Sequence, residues 1–292
     1  MNNKHEEMLI ETETLIRSKR NIIYLVTQEE NRVMSALESI CSKAETKWDV
    51  IKWDIVSGLH SSDPEFLPKK QSETELDQLE VLEWFEKLLV PKDKFCILIL
   101  KDYNKFFGTS SYRGQAENRT IRYIKNLSSK LNSHNKAIII ISNSFEVPND
   151  LDKSLAILDW PFPEKSEIKE KISDLLSKAS KKKELANRFQ NKYYEDEIEH
   201  KIQSFQGLTL TECEQTCAYC MIKHSKLQPE IISNHKKDII RKSGLLDWVD
   251  SDIDMNEIGG LEGLKNWLEK RKDAFSEEAA IYGLPANPKG IL

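Results

Sequence analysis

No uninterrupted apolar run in the 292 residues approaches the roughly 18 needed to cross a bilayer as a helix, so a helical membrane span is excluded. No secretory leader is expected either. The start, MNNKHEEMLIETETL, has neither a basic segment nor an apolar one, and its acidity separates it from arginine- and serine-rich transit peptides. The expectation is a protein that works where it is made, with no membrane partner. Positive charge is scarce: a formal net charge of -5 argues against a general nucleic-acid binder, whose footprint is a basic face. Lys181, Lys182 and Lys183 do cluster, but Glu184 follows and Glu195, Asp196, Glu197 and Glu199 lie close behind, which reads as a solvated helix face. The five cysteines are odd in number and sit mostly in apolar runs, which suits a reducing compartment better than a disulfide framework.

What the sequence does contain is the make-up of a soluble globular protein, with 39% hydrophobic and 31% charged residues and length for about two domains. Met8 to Ser18 has a helical pattern, and residues 21–27 (NIIYLVT) form a continuous apolar run of the kind found in a doubly covered strand. A phosphate loop after that strand would need glycines and a Lys-Ser/Thr pair, because backbone N–H groups must approach the phosphates closely. Thr27-Gln28-Glu29-Glu30-Asn31-Arg32 stands there instead, with no glycine and two acids that would repel a triphosphate. A helix with Val33, Leu37, Ile40 and Cys41 as its stripe follows, then a strand from Trp48 to Val56 and a polar loop from Leu59 to Thr74. Leu76, Leu79, Leu82, Phe85 and Leu89 recur at helical spacing and predict a helix with a buried face.

Residues 95–102 (FCILILKD) form the most apolar strand, with Asp102 at its carboxyl end, where an open parallel sheet faces its ligand. Asp102 reads either as a Mg²⁺-holding carboxylate or as a turn-forming or capping residue, and the missing phosphate loop favours the second. A helix over about 116–131 leads to a last apolar strand, 137–143, ending on Asn143. Strands alternating with helices of this length predict a parallel sheet covered on both faces. The chain therefore divides into an α/β domain over 1–163, a small all-helical domain over 164–246, and a linker with the start of something further over 247–292.

Cys213, Cys217 and Cys220 have the spacing C-x3-C-x2-C, which matches the cluster-binding triplet of radical S-adenosylmethionine enzymes, and His224 follows. Thr209 with Glu212 is a capping box, however, and Leu208 is the outer half of a hydrophobic staple. A helix starting there puts 213, 217, 220 and 224 on one core face, and seven residues of helix rise about 10 Å, too far for one metal centre. Core cysteines are expected.

Three stretches carry a family likeness. Ile141-Ser142-Asn143-Ser144-Phe145-Glu146-Val147-Pro148 resembles the sensor strand of AAA modules, and Gly207-Leu208-Thr209-Leu210-Thr211-Glu212 resembles their lid signature. Glu257-Ile258-Gly259-Gly260-Leu261 through Pro288-Lys289-Gly290-Ile291-Leu292 is similar to the segment directly before an AAA phosphate loop. The whole chain resembles the amino-terminal part of an uncharacterised AAA-domain family of cyanobacteria and red-algal plastids. That resemblance implies a degenerate AAA-type three-layer α/β domain with a parallel sheet, followed by a helical lid, in cyanobacterial cytoplasm or plastid stroma. It implies that Asp102 and Asn143 are relics, and that no arginine finger exists, since no arginine stands between Arg122 and Arg188.

By the same resemblance, Ile258, Gly259 and Gly260 would lie against an adenine, and ATP and Mg²⁺ would be used by a second AAA module that the chain only begins. A homo-oligomeric ring or a protein client would be its partner. The Lys289–Leu292 strand would be poorly ordered or only loosely docked. The alternative is a non-enzymatic docking or assembly module on a degenerate AAA fold.

Overall fold

Six strands of four to eight residues assemble the sheet. The computed structural model describes residues 4–43, 47–61, 63–68, 75–108, 114–131, 134–180, 201–224, 227, 229–243, 259–271 and 282. Its strands are β1 (Ile22–Val26), β2 (Lys47–Asp54), β3 (Gly58–Ser61), β4 (Lys94–Lys101), β5 (Lys136–Ser142) and β6 (Ala156–Asp159), in the order β3-β2-β4-β5-β1-β6. Every pairing is parallel except β2 with β3. Among the described residues the helices are α1 (Lys4–Arg17), α2 (Glu30–Lys43), α3 (Glu80–Lys87), α4 (Gln115–Lys130), α5 (Lys165–Ser180), α6 (Leu210–His224), α7 (Pro229–Ser243) and α8 (Glu262–Glu269), and residues 201–205 are helical as well. The chain divides into two compact units, Met1–Lys236 and Lys237–Leu292.

The pleat explains why both faces of these strands are apolar. Ile22, Tyr24, Leu98, Leu100, Ile138 and Ile140 point to one face and pack with Val81, Leu82 and Phe85 of α3 and Ile121, Ile124 and Leu127 of α4. Ile23, Leu25, Ile97, Ile99, Ile139 and Ile141 point to the other, against Val33 and Leu37 of α2 and Ile16 of α1. A strand buried on both faces has no polar positions to alternate, so it reads as a continuous run.

The helical part of the first unit has its own core. Ile202, Phe205, Leu208, Cys213, Cys217, Cys220, Leu227 and Ile232 are all buried there. The capping box predicted for α6 is formed: the Glu212 N–H donates to Thr209 Oγ1 (3.1 Å), and the Thr209 N–H donates to Glu212 Oε2 (2.8 Å).

The structure differs from the sequence reading at five places. The predicted strand to Val56 ends at Asp54, whose Oδ1 accepts the N–H groups of Val56 (2.9 Å) and Ser57 (2.7 Å) and so closes a tight turn. The predicted loop after it begins with β3, an antiparallel edge strand, and Gly58 supplies the left-handed φ of +70° that the turn requires. Leu89 lies beyond the end of α3 and is 90% exposed, so it does not belong to the buried stripe. His224, at the last residue of α6, is exposed rather than in the core, and its ring packs edge-on to Tyr219. β6 was not foreseen at all.

Candidate functional site

The carboxyl edge of the sheet is where an α/β fold of this order gathers its chemistry. The chain leaves β1 toward the α2 face and leaves β5 toward the opposite face, and the crevice between such strands is the usual ligand position. What fills this crevice is internal.

Thr27 leaves β1 with its Oγ1 accepting the Glu29 N–H at 2.9 Å, a local turn that aims Glu29 inward at the entry to α2. Arg32, one turn later, extends across to α5. Its Nη1 donates to Glu29 Oε2 at 2.8 Å and to the carbonyl of Pro161 at 2.7 Å. Its Nε and Nη2 form a fork on the Glu167 carboxylate at 2.8–3.1 Å. The side chains of Glu29 and Arg32 are 7% and 8% exposed. Planar bidentate pairing is the geometry in which arginine is strongest.

The other oxygen of Glu29 accepts the N–H of Leu210 at 2.6 Å, at the first residue of α6. An anion at that place satisfies one of the orphan donors of the helix and lies at the positive end of its dipole. One carboxylate thus occupies the start of α2 and caps the first turn of α6.

Around this cluster the charges are mostly negative. Glu30 beside it pairs with Lys101 at the end of β4, at 2.7 Å. His5 lies 3.9 Å from Glu167 and edge-on to Trp160, and burial lowers its pKa, with Glu167 opposing that shift.

The residues singled out from the sequence stand as follows. Asp102 follows β4 as foreseen, is exposed, and has φ 50° and ψ 28°, a left-handed turn residue with no side-chain hydrogen bond to the short helical turn after it. Asn143 follows β5 and is exposed. Between them Asn104 is buried, its Nδ2 3.2 Å from Glu146 Oε2 and its Oδ1 without a partner. Ile258 and Lys289–Leu292 lie outside the described residues, as does the Lys181–Lys183 cluster.

Gly259 and Gly260 belong to the second unit and are exposed. Gly260 (φ +74°) and Leu261 (φ +60°) make two successive left-handed residues leading into α8, with no heavy atom within 4 Å of where a Cβ on either glycine would sit.

Cys213, Cys217 and Cys220 line the inner face of α6, and burial pushes the thiols of Cys213 and Cys217 up to about 12. A thiol held protonated is a poor metal ligand. Among the described residues no group of histidines, cysteines or carboxylates could hold a metal.

The sequence reading missed the partners of Glu29. Their only local sign is the pair of an acid and an arginine three residues apart, Glu29 and Arg32, where a phosphate loop would have glycines and a Lys-Ser/Thr pair.

Residues 8–160 match the family described as "SpoVK-like AAA ATPase, N-terminal domain", and residues 166–243 match its "second domain". The chain is 28% identical over 281 residues to "Uncharacterized AAA domain-containing protein ycf46" of Trieres chinensis, covering 95% of this chain and 51% of that protein. It is 29% identical over 284 residues to the protein of the same description from Pyropia yezoensis, covering 95% and 52%. The chain spans about half the length of these relatives. Among solved structures, a chain from "Structure of E. coli MS115-1 HORMA:CdnC:Trip13 complex" is similar at a TM-score of 0.46 and 7% identity, covering 78% of this chain and 75% of that one.

Proposed function

This chain belongs to the SpoVK-like AAA ATPases, and from that premise we propose that its α/β and helical domains form a non-hydrolysing AAA module. In this reading an internal salt bridge holds what a nucleotide would otherwise organise. ATP and Mg²⁺ are then used by a further AAA module, to which the Gly259–Gly260 turn leads. The module described here serves as a docking or assembly platform for that motor, in a ring or toward a protein client, in cyanobacterial cytoplasm or plastid stroma.

One observation carries the reading. The position where phosphates would be cradled holds the Glu29 carboxylate, bonded to both Arg32 and the Leu210 N–H. A triphosphate entering there would have to displace a buried ion pair and bring its charge beside Glu29, Glu30 and Glu167. Like charges at such separations in a poorly solvated site repel by several kcal/mol. The segment also lacks the glycines that let backbone N–H groups approach phosphate oxygens.

Calorimetric titration of the 292-residue chain with Mg-ATP tests this directly. No binding heat and no hydrolysis are expected. One-to-one binding in the micromolar range would overturn the reading.

A further inference from the structure

At the amino-terminal edge of the sheet, opposite the crevice, lies a half-enclosed cavity of about 310 Å³. It opens between the start of β1, the last turn of α4 and the turn before β6. Lys19, Arg20 and Lys153 line it, together with Asn21, Ser128 and Ser129. None of the described lining residues is acidic, and none of the three cations pairs with a carboxylate among the described residues.

Asn21 is 5% exposed, and its Nδ2 donates to the carbonyl of Leu131 at 3.0 Å, but its Oδ1 has no partner. A buried amide oxygen without a donor is costly, because the water it lost has not been replaced. Ser128 and Ser129 spend their protons on the carbonyls of Lys125 (2.8 Å) and Asn126 (2.9 Å), so their oxygens face the cavity only as acceptors. The cavity therefore offers cations for an anion and several acceptors for hydroxyl groups.

Lys19 adds a backbone observation. It has φ 65°, and the N–H groups of Lys19 and Arg20 return to the carbonyls of Ile16 (3.1 Å) and Leu15 (2.9 Å). This is the paired closure that ends a helix, and glycine is its usual left-handed residue. A lysine there tolerates strain that glycine would not have. Cations near the last turn of α4 also complement its dipole, which accounts for their sign but not for the orphaned Asn21 oxygen.

We infer that this cavity binds a small phosphorylated polyol of sugar-phosphate size. The phosphate meets Lys19, Arg20 and Lys153, and the ligand's hydroxyls donate to the Ser128 and Ser129 oxygens. The volume lies at the small end of ligand sites, which suits a monosaccharide phosphate better than a polymer.

The full chain is titrated with ribose 5-phosphate, inorganic phosphate and ribose, as wild type, Lys19→Gly and Lys153→Ala. Ribose 5-phosphate should bind one-to-one below millimolar concentration, inorganic phosphate about tenfold more weakly, and ribose not measurably. Lys19→Gly should raise the thermal midpoint, since it removes the left-handed strain, yet weaken ribose 5-phosphate binding about tenfold. Loss of affinity therefore cannot be put down to misfolding. Binding that both substitutions leave unchanged would overturn the inference, as would its absence at millimolar ligand. The outcome is independent of the Mg-ATP titration, because the two sites lie at opposite edges of the sheet.

Discussion

Lys136 opens the apolar strand β5 and is 2% exposed, a burial that a lysine tolerates only with its donors satisfied. Its Nζ donates to the carbonyls of Phe85 (2.8 Å) and Glu86 (3.0 Å), in the last turn of α3, and lies 5.4 Å from the Phe85 ring centre. The ammonium thus satisfies carbonyls that the helix leaves unpaired and stands at the negative end of its dipole. Lys136→Met should destabilise the chain by about 2–4 kcal/mol in urea unfolding, since two buried carbonyls lose their donor. Burial lowers the Lys136 pKa from its ordinary 10.5. Between that lowered value and 10.5 the unfolded chain holds a proton that the folded chain has released, so stability rises with pH there. The stability gap between wild type and Lys136→Met should widen as pH rises into that alkaline window, and a gap that narrows would contradict the assignment. Nothing in the sequence marks Lys136, because a charge at a strand start is ordinary and its partners lie 50 residues away.

At the scale of elements, legibility followed the length and periodicity of each signal. β1, β4 and β5 were evident because strands covered on both faces leave no polar interruption. β3 (GLHS) and β6 (AILD) are four residues each and lie at the sheet edges, where exposed positions such as His60 and Ile157 dilute the pattern. The cysteine stripe of α6 was read correctly because the capping box fixed where the helix begins, and that set its inner face. The lack of glycine in residues 27–32 was legible as well. The replacement chemistry was not, since Glu29 finds Leu210 across 181 residues and Arg32 finds Glu167 across 135. The α6 cap gives the element-scale prediction. Thr209→Ala removes the acceptor of the Glu212 N–H but leaves the Glu212 carboxylate free to bond the backbone of residue 209. The cost should be about 1 kcal/mol, and the first-turn amides of α6 should exchange faster with solvent while the α4 amides do not.

Within the first unit, the Glu29–Arg32–Glu167 cluster ties three parts of the chain: the turn after β1, the segment at Pro161 with α5 behind it, and the head of α6. A buried ion-pair triad is poor evidence of net stability, because desolvation offsets most of its attraction, but breaking one member strands the others. Arg32→Met leaves Glu29 and Glu167 facing one another without their guanidinium, and should cost about 3–5 kcal/mol. Glu29→Gln keeps an acceptor for the Leu210 N–H and leaves the Arg32–Glu167 fork whole, so its cost should stay near 1 kcal/mol. The two substitutions should also differ in where they act. In hydrogen exchange, Arg32→Met should open α5 and α6 while the amides of β4 and β5, held by their own ladder and two apolar faces, stay protected. Uniform loss of protection would mean that the cluster supports the whole unit rather than the attachment of its helical part. Mg-ATP should not restore protection to Arg32→Met, since emptying the crevice of its cation leaves two carboxylates and still no glycine loop to receive phosphate. Restoration would show that the internal salt bridge alone keeps nucleotide out.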